Sequence, residues 1–156
     1  MKKRKDKMII VSGCLLGLRC RYDGKSKSNK KVIEFLRKKN LIPIPVCPEQ
    51  FGGQETPRPD AAIFGGNGKD VLSGKAKVIE EDGKEVTACF IRGAREVLKL
   101  VELLNIREAI LKTKSPSCGC GLIHDGTFTG NLVPGDGVTT ALLKQKGIRI
   151  KTEEDL

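Results

Sequence analysis

Tryptophan is absent from this 156-residue chain, tyrosine and histidine occur once each, and phenylalanine occurs five times. So few aromatic rings give little surface for stacking on single-stranded bases, which argues against a dedicated RNA-binding module. A single histidine, His124, excludes histidine-rich metal sites, and any Cys–His nucleophilic pair would depend wholly on it. No apolar run approaches the roughly 20 residues that a membrane helix needs. Low-complexity tracts, internal repeats and linkers are also missing. Acidic residues are outnumbered, 19 against 29 basic ones, for a formal charge of +10. Five basic residues and Asp6 lie within residues 1–7 (MKKRKDK), and the remaining excess is spread widely, as solvated lysines usually are.

The length fits one domain. Residues 1–7 read as a basic N-terminal extension and residues 8–156 as a single α/β domain. What the chain has in quantity is cysteine: six residues. A disulfide framework is allowed by parity, but this chain is too long and too rich in core residues for a stapled mini-domain. Val11-Ser12-Gly13-Cys14, after a basic start, imitates a lipoprotein cleavage box. The apolar stretch before Cys14 (MIIVSG) is shorter than the roughly 7–15 residues of a signal core, and Leu15, Leu16 and Leu18 continue it beyond. The expected compartment is a reducing cytoplasm, where grouped cysteines point to metal or catalysis.

Hydrophobic patterning predicts an alternation of strands and helices. The first strand is Met8–Gly13; Ser28 is a candidate N-cap for a helix ending near Asn40 with Val32, Ile33, Phe35 and Leu36 on its apolar face. Ile42–Val46 is a second strand, which Pro43 and Pro45 demote to an edge. Residues 47–60 read as a long irregular stretch. Ala61–Gly65 and Lys75–Glu80 are short strands, with an Asp-Gly turn at Asp82-Gly83. Gly65-Gly66-Asn67-Gly68 reads as a turn, because no Gly-Lys-Ser/Thr ending supports a phosphate loop. Thr87 is expected to cap the clearest helix, with Phe90, Ala94, Val97, Val101 and Leu104 in one stripe. Ile106–Thr113 is a third strand, residues 121–134 hold a hairpin around Asp125-Gly126, Val138–Lys146 is a last helix, and Ile148–Lys151 a last strand. The fold class is therefore α/β: a single-domain sandwich with a mostly parallel, Rossmann-like sheet plus short hairpins.

Cys14, Cys47 and Cys118 each lie just past one of the parallel strands. The carboxyl ends of such strands share one edge, where ligands bind, so three thiols distant in sequence converge there. Thiolates suit zinc, copper(I) and iron–sulfur clusters. Three of them can hold a 4Fe–4S cluster by three irons and leave the fourth open. Glu49, two residues after Cys47, is a candidate general base, and Ser117, beside Cys118, a candidate hydrogen-bond or proton donor. Arg58 and Ser115 are candidates for substrate contact, although Arg58, set between two prolines, also reads as ordinary surface. Gly119 and Gly121 let the backbone pass close to a cluster. Cys89 reads as a core hydrophobe; Cys20 and Cys120 stay open between spare thiol, sulfur acceptor and alternative ligand. A structural zinc site is a further alternative.

Five segments, VSGCLLGLRCRYDG, PVCPEQFGG, TPRPDAAI, LKTKSPSCGCGLIHDGTFTG and LVPGDGVTTALL, occur in that order. On them the chain from Met8 onward resembles domain-of-unknown-function family 523, which includes bacterial thiouracil desulfidases. The resemblance implies a compact α/β protein binding an oxygen-sensitive 4Fe–4S cluster through Cys14, Cys47 and Cys118. It also implies non-redox removal of sulfur from a thiolated pyrimidine, with Glu49 and Ser117 as the catalytic pair. The expected partners are a small thiolated nucleobase or nucleoside and a sulfide-acceptor protein, with no membrane and nucleic acid not favoured. Two other readings are an iron–sulfur or sulfur-carrier module without hydrolytic activity, and a thiolated-tRNA binder prompted by the basic charge.

Overall fold

The computed structural model of the chain describes residues 7–156. Its centre is a parallel sheet of four strands: β1 (Lys7–Ser12), β2 (Leu41–Val46), β5 (Glu108–Leu111) and β8 (Arg149–Thr152), in the order β2-β1-β5-β8. Lys7, read as the end of the basic extension, is the first residue of β1 and pairs with Leu41; the rest of that extension lies outside the described residues.

Alternation along the central strands splits the core. Ile10 faces one side with Ala109 and Leu111; Ile9, Val11 and Ile110 face the other. Helix α1 (Lys30–Lys38) covers the second face with Val32 and Leu36, and α4 (Thr87–Leu104) with α5 (Val138–Gln145) covers the first. A strand buried on both faces must be apolar throughout, as Ile9-Ile10-Val11 is. The expected stripe on α4 is present, with Phe90, Ala94, Val97 and Val101 all buried. At about 1.5–3 kcal/mol for each large apolar side chain, this helix is a main anchor of the fold.

The edge position of β2 follows from its prolines. Pro43 and Pro45 have the same parity, opposite Ile9 and Val11, so both missing N–H groups fall on one side of the strand. That side carries no further strand.

Two antiparallel pairs complete the fold: β3 (Ala61–Phe64) with β4 (Lys77–Glu80), and β6 (Leu122–His124) with β7 (Leu132–Pro134). The Asp82-Gly83 turn forms as expected and brings Glu85 back against Ile79. Between β3 and β4 the stretch read as a turn starts a short helix, α3 (Gly68–Leu72). Asn67 caps it and Asp70 reciprocates, a capping box that a glycine-rich reading overlooks.

Two expected caps are wrong by one residue. Asn29, not Ser28, accepts the Val32 N–H at the start of α1. Thr87 is the first residue of α4, after Val86, and its hydroxyl accepts the Val78 N–H instead. Each hydroxyl or amide near a helix start competes for several backbone donors, and tertiary contacts decide which it takes.

Candidate active site

The chain passes from β1 to β2 on one side and returns to β5 on the other, so the β1/β5 boundary is the topological switch point of the sheet. A crevice opens there beyond the carboxyl ends of the strands. Ser12, ending β1, bridges it by accepting the Lys112 N–H through Oγ at 2.9 Å. A cavity of about 300 Å³ occupies the crevice. Its lining includes Cys14, Cys47 and Cys118, and also Glu49, Ser115, Ser117 and Arg58. The residues assigned in the sequence as the catalytic pair, the three metal ligands and the two substrate contacts thus line one space.

Three local structures deliver these groups. Cys14 lies in the 3-10 turn Gly13–Leu16 directly after β1. Cys47 caps a one-turn helix, α2 (Pro48–Phe51), inside the segment expected to be irregular throughout. Pro48 at the first helical position starts it, since its missing N–H costs nothing there. This helix lies against α4 at glycine contacts on both sides. A Cβ on Gly93 would sit 1.8 Å from the Pro48 carbonyl oxygen, and one on Gly52 would sit 2.0 Å from that of Cys89. The third piece is the loop from Ser115 to Gly121, held by the start of α5. Val138 N–H donates to Pro116 O, Thr139 N–H to Ser117 O, and the Thr140 hydroxyl to Cys118 O at 2.7 Å. Gly137 is required in this contact, because a Cβ would meet the Ser117 carbonyl at 2.6 Å.

Glu49 is held at both oxygens. Arg58 Nε donates to Oε1 at 3.1 Å and Ser117 Oγ donates to Oε2 at 2.9 Å. Arg58 is buried, with its side chain 4% exposed, against the expectation that favoured the surface. Its remaining donors go to Glu55 O and Thr56 Oγ1 at 3.0 Å each and to Cys20 O at 2.9 Å. The guanidinium stands at the cavity wall and its hydrogen bonds hold Glu49 and the Cys20 segment in place. Ser115 Oγ accepts the Cys118 N–H at 2.7 Å and lies 3.4 Å from Ser117 Oγ, placing it in the loop that presents the thiol.

Ionisation is unfavourable for Cys20, Cys47 and Cys118. Burial pushes Cys118 up to about 12, opposed in part by the hydroxyls of Ser12 and Ser117. Cys47 is raised by its contact with the Cys20 thiol and then by burial. Cys20 is raised first by Cys14 beside it. Cys20 therefore belongs to the thiol group of the cavity, whereas Cys120 and Cys89 do not line it. Cys120 neighbours Lys144, and Cys89 packs half-buried on α4.

The lining also includes residues that the sequence reading did not single out for the site, among them Tyr22, Asp60 and Lys112, together with the single histidine, His124. Burial raises the Asp60 carboxyl above its usual range. Lys112 Nζ is tied to Thr113 and, at 3.2 Å, to Glu153. Asp60 follows Arg58 at the two-residue spacing of extended chain, a signal that both face one side.

Fold and site together define an α/β protein with a thiol-lined pocket at its switch point and a clamped carboxylate on the wall. The chain belongs to the 2-thiouracil desulfurase family, whose model matches residues 9–155. It is 44% identical over 149 residues to the uncharacterized protein YbbK of Bacillus subtilis (strain 168), covering 96% of this chain and 97% of that protein. Among solved structures it is similar to the 4Fe–4S-dependent thiouracil desulfidase TudS. That likeness has 43% identity and a TM-score of 0.83, over 97% of this chain and 93% of that one.

Proposed function

We propose that this protein is a thiouracil desulfidase that carries a 4Fe–4S cluster on Cys14, Cys47 and Cys118, with Glu49 and Ser117 as its catalytic residues. The observation that carries the reading is the clamped Glu49 carboxylate on the wall of a cavity lined by Cys14, Cys47 and Cys118, with Cys20 beside them. The donor set fits a cluster. Its donors are soft thiol sulfurs, the kind that suits iron–sulfur clusters. Burial holds the Cys118 thiol neutral, and coordination to a metal deprotonates a ligating thiol outright. When bound, the cluster would supply a Lewis-acidic iron for the thiocarbonyl sulfur, polarising the carbon–sulfur bond.

The net reaction exchanges one atom: the thiocarbonyl and water give the carbonyl and hydrogen sulfide. Glu49 takes a proton from the attacking water, and Ser117 is its partner at Oε2. The serine hydroxyl can turn to hold the developing oxygen, or pass a proton between Oε2 and the departing sulfur. Arg58 fixes the carboxylate rotamer, so little reorganisation is left for the moment of attack. Burial of the loop carrying Ser117 and Cys118 keeps bulk water from the reacting carbon. A general base of this kind contributes about 10²–10⁴-fold. A carrier without hydrolytic chemistry has no use for this carboxylate–serine pair.

The protein acts in a reducing cytoplasm, and hydrosulfide leaves to solvent or to an acceptor protein. Among the described residues no helix is long and apolar enough to cross a membrane. The decisive experiment is anaerobic reconstitution, with iron and sulfide quantified and 2- and 4-thiouracil supplied as substrates. Release of uracil with stoichiometric sulfide is expected. A fully loaded protein that turns over neither compound would refute the proposal. Cys14→Ala, Cys47→Ala and Cys118→Ala should each lower iron content sharply.

A further inference from the structure

One carboxylate in the pocket has no partner for half of its capacity. Asp60 Oδ1 accepts the N–H of Ala61 at 2.9 Å. Among the described residues no donor meets Oδ2, and that atom is not sealed within the core. The side chain lines the same cavity as the thiols and Glu49. It is fixed from behind: Glu81 N–H donates to the Asp60 carbonyl, and Arg58, two residues earlier, is locked to Glu49 and Cys20. Tyr22, the one tyrosine of the chain, lines the cavity too and accepts the Arg58 N–H through its carbonyl at 2.8 Å. The pocket therefore offers a flat ring, a rigid acceptor and a reacting end.

We infer that Asp60 is the specificity-determining residue of this site, accepting through Oδ2 the ring N3–H of a pyrimidine whose thiocarbonyl lies toward the thiols. The identity of the ring rests on the desulfidase reading; the unmatched acceptor does not. A carboxylate oxygen at the cavity wall that bonds no protein group can exchange water for the edge N–H of a planar ligand, in a charge-assisted hydrogen bond. N3 lies between C2 and C4 of the pyrimidine. Its N–H therefore adjoins the reacting carbon in both the 2-thio and the 4-thio isomers, so one acceptor serves both. Arg58 and Lys112 are donors already engaged, and Glu49 is clamped on both oxygens.

The test is equilibrium dialysis of radiolabelled uracil, 1-methyluracil and 3-methyluracil against cluster-loaded wild type, Asp60→Asn and Asp60→Ala, with 2-thiouracil turnover run alongside. Asp60→Asn is the sharper variant. It keeps an oxygen for the Ala61 N–H and so turns its NH₂ toward the ligand, setting donor against donor. Wild type should bind 3-methyluracil at least about tenfold more weakly than uracil, the size of one charge-assisted hydrogen bond. Both variants should weaken uracil by a similar factor and lose the discrimination against 3-methyluracil, with melting temperatures near wild type for Asp60→Asn. Unchanged uracil binding in Asp60→Asn, or preserved discrimination, would overturn the assignment. Turnover by wild type with binding indifferent to Asp60 defeats this inference alone. Asp60-dependent binding without any turnover supports it and defeats the desulfidase reading instead.

Discussion

Ser117 Oγ donates to Glu49 Oε2 across 2.9 Å, joining residues 68 apart in sequence. One comes from a single helical turn after the edge strand β2, the other from the loop after the central strand β5. Glu49→Gln replaces the acceptor with an amide that cannot take a proton. Its kcat should fall by about 10²–10⁴-fold with iron content unchanged. Ser117→Ala should cost less, because Arg58 still holds the carboxylate. Steady-state kinetics on anaerobic, iron-quantified samples separate the two. A Glu49→Gln enzyme within a factor of two of wild type would remove this residue from the mechanism.

Arg58 is nearly fully buried and fills four acceptors, whereas Glu49 keeps 15% of its side chain exposed. Removing the guanidinium strands the carboxylate and three oxygens. Arg58→Ala should therefore destabilise the fold by about 3–5 kcal/mol, the range for breaking a buried pair from one side. Arg58→Lys keeps the charge and loses the planar fork, so it should restore part of the stability while leaving kcat well below wild type. Urea unfolding followed by kinetics tests both halves of this statement.

Gly93 has no room for a side chain: its Cβ would overlap the Pro48 carbonyl. Gly93→Ala raises helix propensity within α4, a gain of up to about 1 kcal/mol. The backbone clash should outweigh it, with a net loss of about 1–3 kcal/mol typical of overpacking. Because the displaced segment carries Cys47 and Glu49, iron retention should fall along with the melting temperature. Gly83→Ala, at an open turn position, serves as the control for iron retention.

In cluster-free protein the Cys118 thiol is pushed up to about 12 from an ordinary value of 9.0. The folded state then holds a proton that the unfolded chain gives up, so its contribution to stability is complete below about pH 9. That contribution is lost as the pH rises toward 12, because the unfolded state gains by ionising. Cys118→Ala should flatten this alkaline decline relative to wild type in denaturant titrations between pH 8 and 10.5. Parallel pH profiles for the two proteins would show that the thiol ionises freely in the folded state.

Much of the architecture was legible because periodicity is a local property. The two-residue alternation around Ile9-Ile10-Val11, the stripe on α4 and the prolines of β2 each state which side of an element is buried, and a parallel sheet follows from their order. The gathering of Cys14, Cys47 and Cys118 was legible for the same reason, since parallel strands put their carboxyl ends on one edge. Helix α2 was not. Four residues beginning with a proline carry too little pattern to announce a helix, and it is held at Gly52 and Gly93, whose value lies in missing atoms.

Composition and patterning alone determined that this chain builds an α/β sandwich and which segments supply its central strands, to within one or two residues at their ends, because burial of alternating apolar faces dominates folding and is written residue by residue. Tertiary structure alone decided that Arg58 turns inward to clamp Glu49, that Asp60 joins the lining of the pocket, and that Cys20 joins the thiol group while Cys120 stays outside. Those outcomes depend on which polar group reaches which partner within about 3 Å. That competition is settled by the packing of segments far apart in the chain, and no short stretch of sequence contains it.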